Sequence, residues 1–258
     1  MRTVFPDRCE QELKGDFFGA QRAGYFVEVG ANDPYRGSQT WTLEQLGWDG
    51  VLVEPQPDLA EQLRRSRSAC VVAAACSAPE NNRSVMTLYL CGPHSSLSRS
   101  LAAAGARANS TVEVPVRTLN DVLAEAEAPA PIDFVSIDVE GHELEVLRGF
   151  DVAYWRPRLI LVEDHLASLS AHRHLTRAGY RLIRRTGLNG WYVPDAAAPP
   201  LRWGVLQLAR KYYLSQPFRL LRNWKRRLFG QLQNSAMPAA ARSGRPHDAP
   251  PARLTCRV

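Results

Sequence analysis

Nowhere in these 258 residues is there an uninterrupted apolar run of about 18 residues, so no membrane-spanning helix is expected. Nor is secretion through an apolar leader expected. Asp7, Glu10, Glu12, Lys14 and Asp16 occupy the stretch where a secretory signal needs its hydrophobic core. The five cysteines, Cys9, Cys70, Cys76, Cys91 and Cys256, are odd in number, form no C-x-x-C pair and lack metal-ligand spacing. That suits a reducing, cytoplasmic setting better than an oxidising compartment, with the cysteines expected as inert packing or surface thiols. No internal repeat is visible.

What is present is enough for one good core. The chain is 45% hydrophobic and 22% charged, which fits a single main globular domain rather than disorder. Its net charge of +6 is unevenly spread: residues 201–258 carry 12 Lys or Arg against the single acid Asp248, so residues 1–200 carry 20 basic against 25 acidic groups. The expected organisation is a catalytic body over 1–200, a basic amphipathic helical extension over 201–230 and a disordered Ala-, Pro-, Arg- and Ser-rich tail over 231–258.

Strand and helix patterns alternate along the body. Residues 25–30 and 50–54 read as strands, with a helix over 38–46 between them and another opened by Pro57-Asp58, where a proline's missing N–H does no harm. Cys70 to Cys76 is one continuous apolar run, expected as a single strand buried on both faces. Residues 84–90 and 111–116 alternate in strand fashion, expected as an inserted hairpin or as short extra strands bordering the site. A helix from Thr118, a strand over 132–138, a helix from about His142 to Arg148 and a strand over 157–163 follow. Tyr180–Arg185 and Gly190–Pro194 are separated by only four residues, which permits a hairpin and forbids a helical crossover. The expectation is an α/β fold with a mostly parallel seven-stranded sheet closed by an antiparallel hairpin.

Two strand ends carry the chemistry. Tyr25-Phe26-Val27-Glu28-Val29 runs into Gly30-Ala31-Asn32-Asp33. There Gly30 lets the backbone approach a ligand, Glu28 can accept from an ammonium group, and Asn32 and Asp33 can meet a carboxylate end directly or through water. Glu54 ends the next strand 24 residues after Gly30, near the separation of about 20 at which an acid meets both hydroxyls of an unphosphorylated ribose. The full G-x-G-x-x-G of a pyrophosphate site is absent, since Pro34 and Tyr35 stand where backbone N–H groups would converge. A phosphate-free nucleoside cofactor, S-adenosylmethionine, fits better than NAD, and Ser77 joins Glu28, Gly30, Asn32, Asp33 and Glu54 as an expected contact.

The second strand end is Asp138-Val139-Glu140-Gly141-His142-Glu143, followed by Val146-Leu147-Arg148-Gly149. Together with the Val53-Glu54-Pro55 strand end, Val116-Arg117-Thr118-Leu119 and Arg158 to Glu163, it resembles the FkbM family of methyltransferases over about residues 25–194. One departure is the Asp33-Pro34 step, where many members have a glycine. The resemblance implies a class I, Rossmann-like methyltransferase fold and transfer of a methyl group to a hydroxyl of a sugar, glycan or natural product. Asp138 and His142 are the expected catalytic pair, while Glu140 and Glu143 can equally serve the helix dipole. Adjacent parallel strands lie about 4.8 Å apart, so Asp138, Glu163 and Asp164 can converge on Mg²⁺ or another divalent cation. His165 stands beside that group, and His172 and His174 are expected on a solvated basic helix face. The alternative is a non-catalytic nucleotide- or nucleic-acid-binding module recruited through the tail; against nucleic acid stand the many acids and the lack of an Asn/Asp-Pro-Pro-aromatic strand end. The basic extension suits an anionic membrane surface, at the inner face of the membrane, or packing of its apolar stripe on the catalytic body or, by self-association, on a second copy.

Overall fold

The computed structural model describes residues 8–21, 23–91, 95–97, 110–164, 169–197 and 203–209. Helix α1 (Arg8–Phe18) precedes the first strand, β1 (Tyr25–Val29). The chain then alternates through α2 (Trp41–Gln45), β2 (Asp49–Val53), α3 (Pro57–Ser66) and β3 (Cys70–Val72). After an excursion it returns through β7 (Phe134–Ile137), α5 (Glu143–Arg148), α6 (Val152–Trp155), β8 (Leu159–Glu163) and α7 (Ser170–Arg177). Strands β9 (Tyr180–Thr186) and β10 (Asn189–Pro194) complete a seven-stranded sheet of order β3-β2-β1-β7-β8-β10-β9. All neighbours pair parallel except β10, which runs antiparallel to both β8 and β9.

The order follows from the patterns. Strands β1, β7 and β8 are apolar along nearly their whole length and are buried on both faces, as the centre of a parallel sheet covered by helices requires. From β1 the chain winds outward to β3, then jumps back to β7 on the other side of β1. The crevice between the carboxyl ends of β1 and β7 is therefore a topological switch point, where open α/β sheets bind ligands. Gly30 belongs there for a steric reason: its φ is +84°, and a Cβ would lie 1.8 Å from the backbone carbonyl oxygen of Asp138.

The excursion forms a second sheet of order β4-β6-β5, from β4 (Ala75–Cys76), β5 (Val85–Leu90) and β6 (Ser110–Arg117), before α4 (Leu119–Glu125). The expected hairpin of β5 and β6 is there, pairing Val85 with Pro115 through Leu90 with Ser110. The expected single strand over 70–76 is not. It breaks at Ala73-Ala74 into β3, an outer strand of the main sheet whose Cys70 is exposed, and β4, which pairs with β6. Small side chains give that stretch apolarity without the bulk that would hold one continuous ladder. Helix α2 is also shorter than the expected 38–46, because Ser38 and Thr40 spend their side chains on Glu28.

The main core joins Phe26, Leu52, Leu63, Phe134, Leu159 and Trp191, and Phe18 of α1 closes it edge-on against Trp48 at 4.8 Å and Phe134 at 6.2 Å. Helix α8 (Trp203–Ala209) lies against β9, with Leu208 buried and Gln207 Oε1 accepting the Arg185 backbone N–H at 2.8 Å. The chain divides after Ala209, so the remainder of the expected 201–230 extension, and the tail, lie outside the described residues. Among the described residues no helix is long and apolar enough to cross a membrane.

Candidate active site

A cavity of about 1020 Å³ opens at the carboxyl ends of β1, β2, β7 and β8. Glu28, Gly30, Asn32, Asp33 and Glu54 line one side, Asp138, Glu140, His142 and Glu163 another, and Ala74, Ala75, Cys76 and Leu88 form an apolar wall. The size stands just above the roughly 300–1,000 Å³ usual for ligand sites.

Glu54 is 3% exposed, and its carboxylate accepts the backbone N–H of Asn32 at 2.9 Å through one oxygen and that of Gln56 at 2.9 Å through the other. It thus ties the first turn to the second. Burial raises its proton affinity, and those two donors pull it partway back. Asn32 needs the left-handed φ of +51° that asparagine tolerates, which aims its N–H at Glu54. Asp33 closes the following turn by accepting from the N–H groups of Tyr35 at 2.9 Å and Arg36 at 2.8 Å.

Glu28 is engaged by the protein itself. Ser38 Oγ donates at 2.9 Å, the Gln39 N–H at 2.6 Å, and Thr40 Oγ1 also donates. Beneath these residues Arg67 is wholly buried: it forms an ion pair with Glu44, donates to Ser38 Oγ at 3.2 Å, to Thr40 Oγ1 at 3.0 Å and to the Pro34 carbonyl at 3.0 Å, and lies over the Trp41 ring. Every group on this lattice has a partner, so the 33–40 loop is held as a rigid rim. Helix α1 extends the rim. Lys14 donates to Gln39 Oε1 at 2.9 Å, and its pKa is lowered to about 8 by burial, against the opposing pull of Glu28 and Glu10. Glu10 accepts from Gln39 Nε2 at 3.1 Å, from Asn189 Nδ2 at 2.9 Å and from Thr186 Oγ1, which fastens the 33–40 loop to the turn of the final hairpin.

On the acidic side, the register pairs Ile137 with Val162, so the next residues, Asp138 and Glu163, leave their strands side by side. Ligand atoms of Asp138, Glu140 and Glu163 all lie within 4.8 Å of one another. Asp138 keeps solvent contact through the open cavity but is walled in below, and its carboxyl is pushed well above the usual range by burial and then by Glu163, Glu140 and Glu143. Such crowding of like charge favours a shared proton or a cation. Glu140 reaches the cluster through a left-handed φ of +51°, followed by Gly141 at +96°. Asp164 does not join it. Successive residues along a strand direction face opposite ways, and Asp164 turns to Arg185, which donates to its carbonyl at 2.8 Å and lies 3.8 Å from its carboxylate.

His142 lines the cavity, and its Nε2 is 2.9 Å from Ser77 Oγ. Burial lowers the His142 pKa, with Glu145 pulling weakly the other way. Ser77, expected to touch a cofactor, is fully buried behind the wall, where Ala75 and Cys76 face the cavity in its place. His165 lies outside the described residues. His172 and His174 are half-buried rather than solvated, His172 Nδ1 standing 3.3 Å from Tyr192 Oη, and neither is in the carboxylate cluster. Sequence reasoning passed over Glu10, Lys14, Glu44, Arg67 and Asn81. Glu10 and Lys14 had a signal, an acid–base pair at i,i+4 spacing; buried Arg67 had none.

Residues 28–182, more than half of the chain, match the methyltransferase FkbM domain family. No curated protein matches the sequence. Among solved structures, monomeric WbdD is similar at 11% identity and a TM-score of 0.41, over 73% of this chain and 41% of that one. The chain therefore spans less than half the length of that relative. The precorrin-6y C5,15-methyltransferase of Geobacter metallireducens GS-15 is similar at 12% identity and a TM-score of 0.35, over 75% of this chain and 90% of that one.

Proposed function

The chain belongs to the FkbM methyltransferase family, a membership that implies use of S-adenosylmethionine, and from it we propose an O-methyltransferase acting on a hydroxyl of a sugar, glycan or natural-product acceptor. The observation that carries this reading is the single cavity joining the Gly30–Glu54 rim to the Asp138–His142–Glu163 cluster. The residues present fit such a cofactor: a buried acid at the end of β2 for ribose hydroxyls, an apolar wall for an adenine ring and no nest of free N–H groups for phosphate, the Gly30 and Ala31 N–H groups both going to the Val53 carbonyl. Glu28, Asn32 and Asp33 are the proposed neighbours of the methionine end.

S-adenosylmethionine supplies a methyl group on a sulfonium. When bound it would be the methyl donor, leaving as the thioether, and the acceptor's hydroxyl proton would have to go to a base of this chain. Asp138 is the proposed base, because its raised proton affinity makes its carboxylate more basic than an ordinary one. The rest of the catalysis is positioning, for which the rigid 33–40 rim is suited. The alternative to Asp138 as base is a hard divalent cation, which Asp138 and Glu163 would hold with Glu140 in the place first assigned to Asp164, and which would itself lower the acceptor's pKa. The basic segment beyond Ala209 is proposed to touch an anionic membrane or a second copy of the chain, consistent with a cytoplasmic enzyme.

Calorimetry with S-adenosylhomocysteine tests the cofactor. Binding in the micromolar range is expected, NAD should not bind, and Glu54→Ala should weaken binding by about 1.5–3 kcal/mol, the scale of hydrogen bonds to a charged group. Unchanged affinity in the variant removes Glu54 from the site. The acceptor would be sought as a lost methyl increment when glycans and metabolites from deletion and wild-type strains are compared by mass spectrometry.

A further inference from the structure

We infer that Ser77 and Asn81 are positioning residues that hold the His142 ring with its proton on Nδ1, so that the cavity receives an N–H donor rather than a lone pair. The inference rests on the methyl-transfer reading above and adds a requirement on the acceptor.

The argument is a count of donors and acceptors. Ser77 is fully buried, so its hydroxyl proton must find an acceptor within the protein. Its oxygen already accepts from Asn81 Nδ2 at 3.0 Å. Among the described residues its other polar neighbour is His142 Nε2 at 2.9 Å. The Ser77 O–H therefore donates to Nε2, which must carry a lone pair, and a neutral imidazole with a lone pair on Nε2 has its proton on Nδ1. Among the described residues Nδ1 has no partner, and His142 lines the cavity.

The surroundings hold this arrangement still. Asn81 ends the 3₁₀ turn Pro79–Asn81, and its carbonyl accepts from Ser84 Oγ at 2.6 Å. Asn82 next to it donates to Asp121 at 2.7 Å and accepts the Thr118 N–H at 3.0 Å. Glu80 pairs with Arg148 at 2.7 Å, tying the turn to α5, the helix that His142 opens. Turn and helix are thus joined at the exposed Glu80–Arg148 pair and at the part-buried Ser77–His142 contact, and among the described residues the latter is the hydrogen bond that orients the ring.

An Nδ1–H donor cannot take the acceptor's proton; that task falls to Asp138. It can instead hold a second oxygen. The acceptor then carries two neighbouring oxygens, one giving its proton to Asp138 and the other accepting from Nδ1–H, as in a vicinal diol or a hydroxy-carbonyl. A lone phenol or isolated alcohol satisfies only one of the two groups.

The test is the tautomer itself, read from two-bond ¹H–¹⁵N spectra of the full chain labelled at histidine, at about pH 8, where a histidine of ordinary pKa near 6.5 is neutral. His142→Gln identifies the signal among the six histidines. Protonation on Nδ1 is expected in the wild type, with a shift toward the Nε2–H form in Ser77→Ala and a mixture in Asn81→Leu. An Nε2–H form in the wild type overturns the inference and makes Ser77 the acceptor. So does an Nδ1–H form that persists in both variants. Should Ser77→Ala fail to fold, Ser77→Cys, with its weaker donor, provides the same comparison. Binding of S-adenosylhomocysteine, measured on the same samples, separates failure of the tautomer from failure of the site: loss of binding in the wild type indicts the site, while binding with the wrong tautomer indicts only this role for His142.

Discussion

Two buried charged side chains carry much of the rim's order, and they should respond to mutation in opposite ways. Arg67 has 0% exposed side-chain surface and compensates Glu44, so Arg67→Met leaves Glu44 buried without its partner. A loss of about 3–5 kcal/mol is expected in urea unfolding, the scale for breaking a buried pair from one side. Replacing both, Glu44→Leu with Arg67→Met, should recover much of that loss while loosening the loop. Lys14 is a different case. Its pKa falls from an ordinary value near 10.5 to about 8, so below about pH 8 both folded and unfolded chains hold the proton and the full cost of burying it is felt. Between about pH 8 and 10.5 the unfolded chain binds more protons, and stability should rise with pH by on the order of 3 kcal/mol from this group. Lys14→Met should abolish that rise and stabilise the protein at neutral pH; a slope unchanged in the variant, measured by unfolding across that window, would assign the titration elsewhere.

Among the elements, those the chain announced most clearly were the ones that build the site. Strands β1, β2, β7 and β8 are apolar runs that stop at Gly30, Glu54, Asp138 and Glu163, and the four-residue spacing of the final hairpin fixes its antiparallel sense. Less legible were features decided by partners distant in sequence. The Ala73-Ala74 break is invisible to an apolarity pattern, because only the competing edges of two sheets determine where 70–76 divides. The choice of Glu140 over Asp164 required a left-handed turn at 140–141 and the pull of Arg185, neither of which spacing reveals. Helix α1 precedes the family match, yet its Glu10 closes the rim between the loop after β1 and the β9–β10 turn. Glu10→Ala removes an acceptor from three donors and should cost about 1–3 kcal/mol in stability. It should also increase amide exchange in residues 186–189 and 38–40 together, while exchange confined to α1 would show that the helix merely covers the core.

At the scale of the whole molecule, an acidic body of residues 1–200 is followed by a segment holding 12 basic residues and one acid. Full-length protein is expected to float with anionic liposomes at low salt, each basic group near the surface contributing about 1 kcal/mol, whereas residues 1–209 should not. Equal flotation of both would assign the contact to the body, and a difference in oligomeric state between them would favour self-association. The order in which the body is made has a further consequence. Strand β1 has β2 as a near neighbour, but its other edge waits for β7, so Val27 must wait for Val135 before the centre of the sheet can close. Glu10 waits longer still, because Thr186 and Asn189 follow it by 176 and 179 residues. During synthesis Glu10 emerges long before the hairpin that supplies two of its three donors, while Lys14 meets Gln39 only 25 residues on. The contacts of Glu10 that close the rim therefore span nearly the whole body, so the loop after β1 can be tied to the final hairpin only once residues 186–189 have been translated.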